Sequence, residues 1–161
     1  MTYQTTQSPH LNITNYLVNT VLPSVTTVRL ANIYDNENTD LAGFPAATVT
    51  IGEDIAKVLD NTRNEIGIKI YIRVFIDRFR FSAQKAETIL RNVATEIRTK
   101  LDSDITLGGN CIYTRPYNAK YGYVNREQNN IRIVEIELEC YEAYTWRQRN
   151  YKNYYIYNIN M

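Results

Sequence analysis

The stretch Ile66-Gly-Ile-Lys-Ile-Tyr-Ile-Arg-Val-Phe-Ile-Asp77 decides how the rest of the chain is read. Ile66, Ile68, Ile70, Ile72, Val74 and Ile76 fall on one side of an extended backbone. Gly67, Lys69, Tyr71, Arg73, Phe75 and Asp77 fall on the other. Successive strand residues point to opposite faces, so this alternation predicts a strand with one apolar and one polar face. The apolar face needs a cover, and the sequence supplies it immediately. After Arg78-Phe-Arg-Phe81, where the register shifts as at a bulge or bend, Ser82 is placed to cap a helix over 82–101. Ala86, Ile89, Leu90, Val93, Ala94, Ile97 and Leu101 recur at three- and four-residue intervals along it, a stripe wide enough to lie on a sheet. Lys85, Arg91, Glu96 and Arg98 lie mainly away from that stripe, and Gly108-Gly109 supplies the permissive backbone that ends the segment.

Outward from this pair, two further strands are expected at 110–117 and 131–146. In the second, Val134, Ile136, Leu138 and Cys140 form the core face, and Glu135, Glu137 and Glu139 form the other. The polar run 118–130 between them reads as the tip of a hairpin arm. Upstream, Ala47, Val49 and Ile51 alternate with Thr48 and Thr50 in a strand beginning near Phe44. Residues 52–65 form a connector that reads equally as a helical turn or a loop. Residues 26–34 lean towards β, and 35–45 read as a long loop. A short first helix over 11–22 carries Leu11, Tyr16, Val18, Val21 and Leu22 and stops at Pro23. The expected architecture is one α+β domain over 1–146, with a core over 44–146. It is a largely antiparallel sheet packed by one long amphipathic helix, followed by an aromatic extension over 147–161.

Composition narrows function. The chain has 161 residues, 18 basic and 17 acidic, with a formal charge of +1. That balance gives no overall electrostatic grip on nucleic acid or an anionic membrane. No apolar run approaches the roughly 18 residues a membrane span needs. The polar N-terminus, Met-Thr-Tyr-Gln-Thr-Thr-Gln-Ser, lacks the layout of a signal peptide, so a cytoplasmic site of synthesis and residence is expected. The Asn12-Ile13-Thr14 sequon then has no consequence. Cys111 and Cys140 are far apart, and His10 is the only histidine, too few soft ligands for a transition-metal site. They read as two small buried hydrophobes.

The polar constellations have plain readings. Ser82-Ala83-Gln84-Lys85 matches the S-x-x-K pattern of serine acyl enzymes, but S-D-N and K-T-G are missing and Ser103-Asp104 runs into Ile105. An N-cap explains Ser82 with no further parts. Glu135, Glu137 and Glu139 could attract a hard cation, yet same-face neighbours stand about 7 Å apart. Ion pairing with Lys69 and Arg73 across the sheet is the expected arrangement. Gly108-Gly109 is too short for a phosphate loop. No catalytic residue, cofactor or metal is assigned, and the chain is not expected to be an enzyme.

Ten of the 14 tyrosines follow residue 112. Tyrosine pairs a large apolar face with a polar tip, which suits surfaces wet before assembly and buried after it. Lys120, Tyr121, Tyr123, Arg126, Trp146, Tyr151, Tyr154, Tyr155 and Tyr157 are therefore the candidate interface residues. Arg147, Arg149 and Lys152 among these aromatics could also stack bases and touch phosphates, or the segment could pack on its own domain. Docking on a neighbouring protein is the reading favoured, because the acidic run Glu135–Glu142 lies immediately upstream.

The residues Gly43-Phe-Pro-Ala-Ala-Thr-Val-Thr-Ile-Gly-Glu-Asp54, the strand 68–77, the helix 82–101 running into Asp102-Ser-Asp-Ile-Thr-Leu-Gly-Gly109, and the strand 134–146 resemble the tail terminator, or tail completion, proteins of long-tailed bacteriophages. The likeness spans residues 40–146. The 35–45 loop and the segment after Trp146 lie outside its pattern. The resemblance implies a structural virion protein: a hexameric ring at the head-proximal end of the tail, assembled in the host cytoplasm. One face would meet the tail tube protein and the other a head-completion or neck protein. DNA would pass through the lumen without sequence-specific binding. On this reading the hairpin around Lys120–Asn130 and the segment Tyr151–Met161 order on contact with partners, and Lys120, Arg126 and Lys57 are candidates for the channel wall. A head-closure or neck connector is the alternative within the same setting, and a nucleic-acid-binding module is the alternative from another class.

Overall fold

A computed structural model describes residues 8–37, 41–58, 63–78, 81–126 and 129–145. The chain runs α1 (Pro9–Tyr16), β1 (Asn32–Tyr34), β2 (Ala46–Val58), β3 (Arg63–Asp77), α2 (Ala83–Ser103), β4 (Tyr113–Arg126) and β5 (Asn129–Thr145). The strands form one five-stranded sheet in the order β1-β2-β3-β5-β4. Only the β1–β2 pair is parallel; the other three are antiparallel. The fold is a single α+β layer pair, with helices on one face of the sheet.

The isoleucine alternation does in space what its spacing dictates. Ile68, Ile70, Ile72, Val74 and Ile76 are buried, level with Val134, Ile136, Leu138 and Cys140 on β5. Ala86, Leu90, Val93, Ala94, Ile97 and Leu101 of α2 cover them, and Ile89 is half-buried at the margin. Ser82 caps the helix: its Oγ accepts from the Lys85 backbone N–H at 3.2 Å. The arrangement closes the S-x-x-K reading, since the hydroxyl serves the backbone while Lys85 Nζ lies 5.6 Å from the centre of the Phe81 ring.

The N-terminal helix differs from expectation. The α-helix ends at Tyr16, a π-helical turn covers Leu17–Val21, and a 3-10 turn takes Leu22–Ser24. The wider turn changes which residues face inward: Ile13, Leu17, Val21 and Leu22 are buried, while Leu11 is exposed. Tyr16 is half-buried against the core, and its hydroxyl donates to Asp104 at 2.7 Å, fastening α1 to the end of α2. There the chain reverses through Leu107, Gly108 and Gly109, with φ of 49°, 65° and 85°. A Cβ at Gly108 would stand 2.6 Å from the Tyr16 ring, so both the backbone and the packing there require glycine.

Two loop expectations are corrected. The connector 52–65 is neither helix nor loop at its ends: β2 continues to Val58 and β3 starts at Arg63. A bulge between Ile51 and Glu53 interrupts the alternation, and everything from Ile51 to Val58 is exposed, so no burial rhythm marks the strand. The polar run 118–130 is likewise strand: β4 pairs with β5 as far as Arg126↔Asn129. Its register shifts between Pro116 and Asn118, where proline cannot donate to the ladder. Lys120 and Arg126 are thus strand positions, as is Lys57 on β2. The extension 147–161 lies outside the described residues.

Candidate functional surface

The face of the sheet away from the helices is polar, and its pairs follow from strand register. Arg73 of β3 and Glu135 of β5 are direct cross-strand partners, and Arg73 Nε donates to Glu135 Oε2 at 2.6 Å. Arg73 also donates to Thr50 Oγ1 at 3.4 Å and stands 3.9 Å from Glu37. Lys120 of β4 reaches Glu137 at 2.5 Å, and Asn118 donates to the same carboxylate at 3.5 Å. Hydrogen bonding to Glu137 raises the Lys120 ammonium above its ordinary range. Lys69, whose Cα partner on β5 is Glu139, has its Nζ 2.9 Å from Glu53 on β2. The bulge beside Gly52 re-aims β2 so that Glu53 becomes the Cα partner of Lys69.

Glu139 is instead satisfied by the hydroxyl of Tyr141. Tyr141 stacks on Tyr113, with ring centroids 4.3 Å apart and planes within 17°. Tyr113 in turn donates to Glu65 at 3.1 Å. Each phenol is held protonated by its carboxylate. The bond to Glu139, followed by burial, pushes Tyr141 up to about 12. Burial, then the bond to Glu65, raises Tyr113. Beside the stacked rings lies a shallow cleft of about 280 Å³, bounded by Ile55, Lys57 and Gly67. The arrangement neutralises charge and stiffens the sheet. Each of these carboxylates is engaged by a cation or a phenol.

The remaining candidate chemistry resolves in the same way. His10 Nε2 lies 2.8 and 2.9 Å from the two oxygens of Asp54, bracing α1 on β2 with no nucleophile in the bond. Cys111 and Cys140 are buried free thiols: Cys111 Sγ donates to the Thr106 carbonyl at 3.5 Å, and the neighbouring Cys111 thiol, then burial, pushes the Cys140 thiol up. Among the described residues no group of three or more histidine, cysteine or carboxylate side chains could hold a metal. No described helix is long and apolar enough to cross a membrane.

The sequence-derived interface set is divided by the fold. Lys120 lies on the open polar face. Tyr121 and Tyr123 lie on the helix side of β4, opposite Val134 and Arg132. Tyr123 is 59% exposed, and the Arg132 guanidinium covers one side of its ring at 4.0 Å. Arg126 occupies the last position of β4, and Trp146, Tyr151, Tyr154, Tyr155 and Tyr157 lie outside the described residues. Sequence reasoning missed Arg132 and its partner Glu87 on α2, which ion-pair under the rim of the sheet. The signal was present: Arg132 falls in phase with Val134 and Ile136, and a charge in core phase needs a buried partner.

What the fold leaves unsatisfied is at its two edges. β4 has no outer strand among the described residues, and at its start the Thr114 N–H donates to the Ile105 carbonyl at 2.7 Å. β1 covers β2 only at Ala46, Ala47 and Thr48, leaving 49–58 open. Ile55 is 48% and Val58 70% exposed along that edge. No family model matches the chain, and no curated protein matches it.

Proposed function

We propose that this chain is a structural virion protein, a tail terminator that closes the tail tube as a ring of copies and provides the joint to the head or neck. The observation that supports the reading most directly is the pair of strand edges left without an outer strand among the described residues, 49–58 of β2 and 115–126 of β4. Unpaired edges are a liability in a free monomer and an asset in a closed assembly, where each edge is covered by a neighbour. The sequence resemblance over residues 40–146 supplies the identity of that assembly.

The open face is in keeping with a lumen that DNA crosses. Arg73, Lys120 and Lys69 each face a carboxylate, so these three cations offer phosphates little free charge. The test is electron microscopy of the purified protein, alone and mixed with headless tails. Rings seated at one end of tails of uniform length support the reading. Protein that leaves tails bare and attaches to isolated heads would establish the head-closure alternative. A steep salt-dependent affinity for free DNA, with no ring formed, would establish the nucleic-acid alternative.

A further inference from the structure

We propose that Cys111 and Cys140 are an oxidation site, where a peroxide converts the two thiols to one intramolecular disulfide that ties the chain reversal after α2 to β5. The conversion is independent of the terminator reading. Only its timing rests on that reading: thiols during assembly in the reducing host cytoplasm, a disulfide once the particle is released.

The fold brings the pair together. Both are free thiols, and both belong to the same buried core cluster. Thr114 is the Cα partner of Cys140, and the N–H of Ile112, the residue after Cys111, donates to the carbonyl of Tyr141, the residue after Cys140, at 2.9 Å. A disulfide requires backbones in close approach, with Cα atoms within about 7 Å. The bond between the two following residues holds the chain together at that point. The thiols are near enough that Cys111 is the largest influence on the Cys140 proton. The chain has only these two cysteines, so no second pairing competes within one copy.

Their surroundings assign the two sulfurs different parts. Cys111 is 7% exposed, whereas Cys140 is fully buried. Cys111 stands at the end of the reversal, beside exposed Gly108 and Gly109, with its Sγ 3.5 Å from the Thr106 carbonyl. It is the thiol that a small oxidant meets first. Its thiolate attacks one peroxide oxygen, the O–O bond breaks, and a sulfenic acid and water result. The Cys140 sulfur then attacks the Cys111 sulfur, the S–O bond breaks, and a second water leaves. Two thiols give up two electrons and two protons, and one hydrogen peroxide becomes two waters. Because the Cys140 thiol is pushed up, the second step is the slower one and quickens as pH rises. The product closes a loop of about 30 residues through β4 and β5, anchored where Tyr16 and Asp104 already fasten α1.

The test treats the reduced full chain with a small excess of hydrogen peroxide at about pH 8. A non-reducing digest is read by mass spectrometry, with thermal unfolding before and after. The expected product is one peptide pair joining Cys111 to Cys140, lighter than the separate thiol peptides by about 2 Da. Tm should rise by roughly 5 °C and return on adding dithiothreitol. In Cys140→Ala, peroxide should stop at an oxyacid of Cys111 and leave Tm without a rise. The wild-type measurement decides the matter if that variant fails to fold. Thiols that persist in the folded protein and react only in urea overturn the inference. So do a crosslink between copies, or Cys111 oxidised to an oxyacid beside an intact Cys140 thiol. A disulfide that leaves Tm unchanged overturns the bracing assigned to it. Rings that cap tails while both thiols resist peroxide overturn the oxidation site and leave the terminator reading standing; a disulfide in a protein that leaves tails bare does the reverse.

Discussion

Replacing Glu96 by glutamine removes one charge from α2 and tests how the segment between α1 and β1 is held. The Glu96 carboxylate accepts four hydrogen bonds: from the N–H and hydroxyl of Thr26 at 2.7 and 2.9 Å, and from the N–H and hydroxyl of Thr27 at 2.9 and 2.6 Å. Burial pushes its proton affinity up, but the four donors outweigh burial and hold the group at about 2, against an ordinary 4.5. At about 1.4 kcal/mol per unit, that displacement corresponds to a ceiling near 3 kcal/mol, and solvent access to the clamp lowers the expected value to about 2 kcal/mol. Because the folded state lowers the affinity, this stability is complete above the unfolded value of 4.5 and disappears as pH falls towards 2. Urea unfolding of the wild type and Glu96→Gln at neutral pH should therefore differ by about 2 kcal/mol, and by less than half of that near pH 3. Equal deficits at both pH values would refute the charge-based account and leave only lost packing. No deficit at either would show that the threonines are held by other means.

Other substitutions test other joints. Leu90→Ala, at a fully buried position of α2, should cost about 3 kcal/mol in chemical unfolding. Gly108→Ala meets both a positive φ and the Tyr16 ring, and should cost about 2 kcal/mol with a matching fall in Tm. Tyr16→Phe removes the bond that most lowers Asp104, costing about 1 kcal/mol at neutral pH; the deficit should shrink in acid as Asp104 protonates. Glu139→Gln should bring one tyrosine back from about 12 towards its ordinary range, seen as an added step in the ultraviolet titration.

The elements that the sequence made legible are those whose faces differ. β3 and α2 each pack one face more deeply than the other, so polarity alternates with the period of the backbone, and on β3 burial follows that alternation from Ile68 to Ile76, with Ile66 half-buried and Gly67 buried at its start. The outer half of β2 and most of β4 were invisible for the opposite reason. Residues 51–58 are exposed on both sides, and 117–126 form an edge with only one neighbour, so neither run carries a burial rhythm. Bulges at Gly52 and after Pro116 break the phase that remains. The π-helical turn at Leu17–Val21 was hidden because pattern reading assumes 3.6 residues per turn. On the polar face, the pairing of Arg73 with Glu135 followed from alternation alone. Lys120 with Glu137 and Lys69 with Glu53 depended on strand order and a bulge, which no local pattern contains.

That division has a functional meaning. Segments that fold by their own polarity contrast form the body of the domain, with its helices on one side and its ion-pair ladder on the other. Segments without such contrast, 49–58 and 115–126, are strands with no outer strand beside them among the described residues. Water satisfies the outer backbone groups of such an edge in a free subunit, so pairing them gains little per hydrogen bond, about 1 kcal/mol. On the proposed ring reading, the choice of neighbour at an open edge then rests on the side chains that flank it. Sedimentation velocity across a salt series separates two kinds of flank: self-association that weakens as salt rises marks charged side chains, and salt-independent association marks apolar ones.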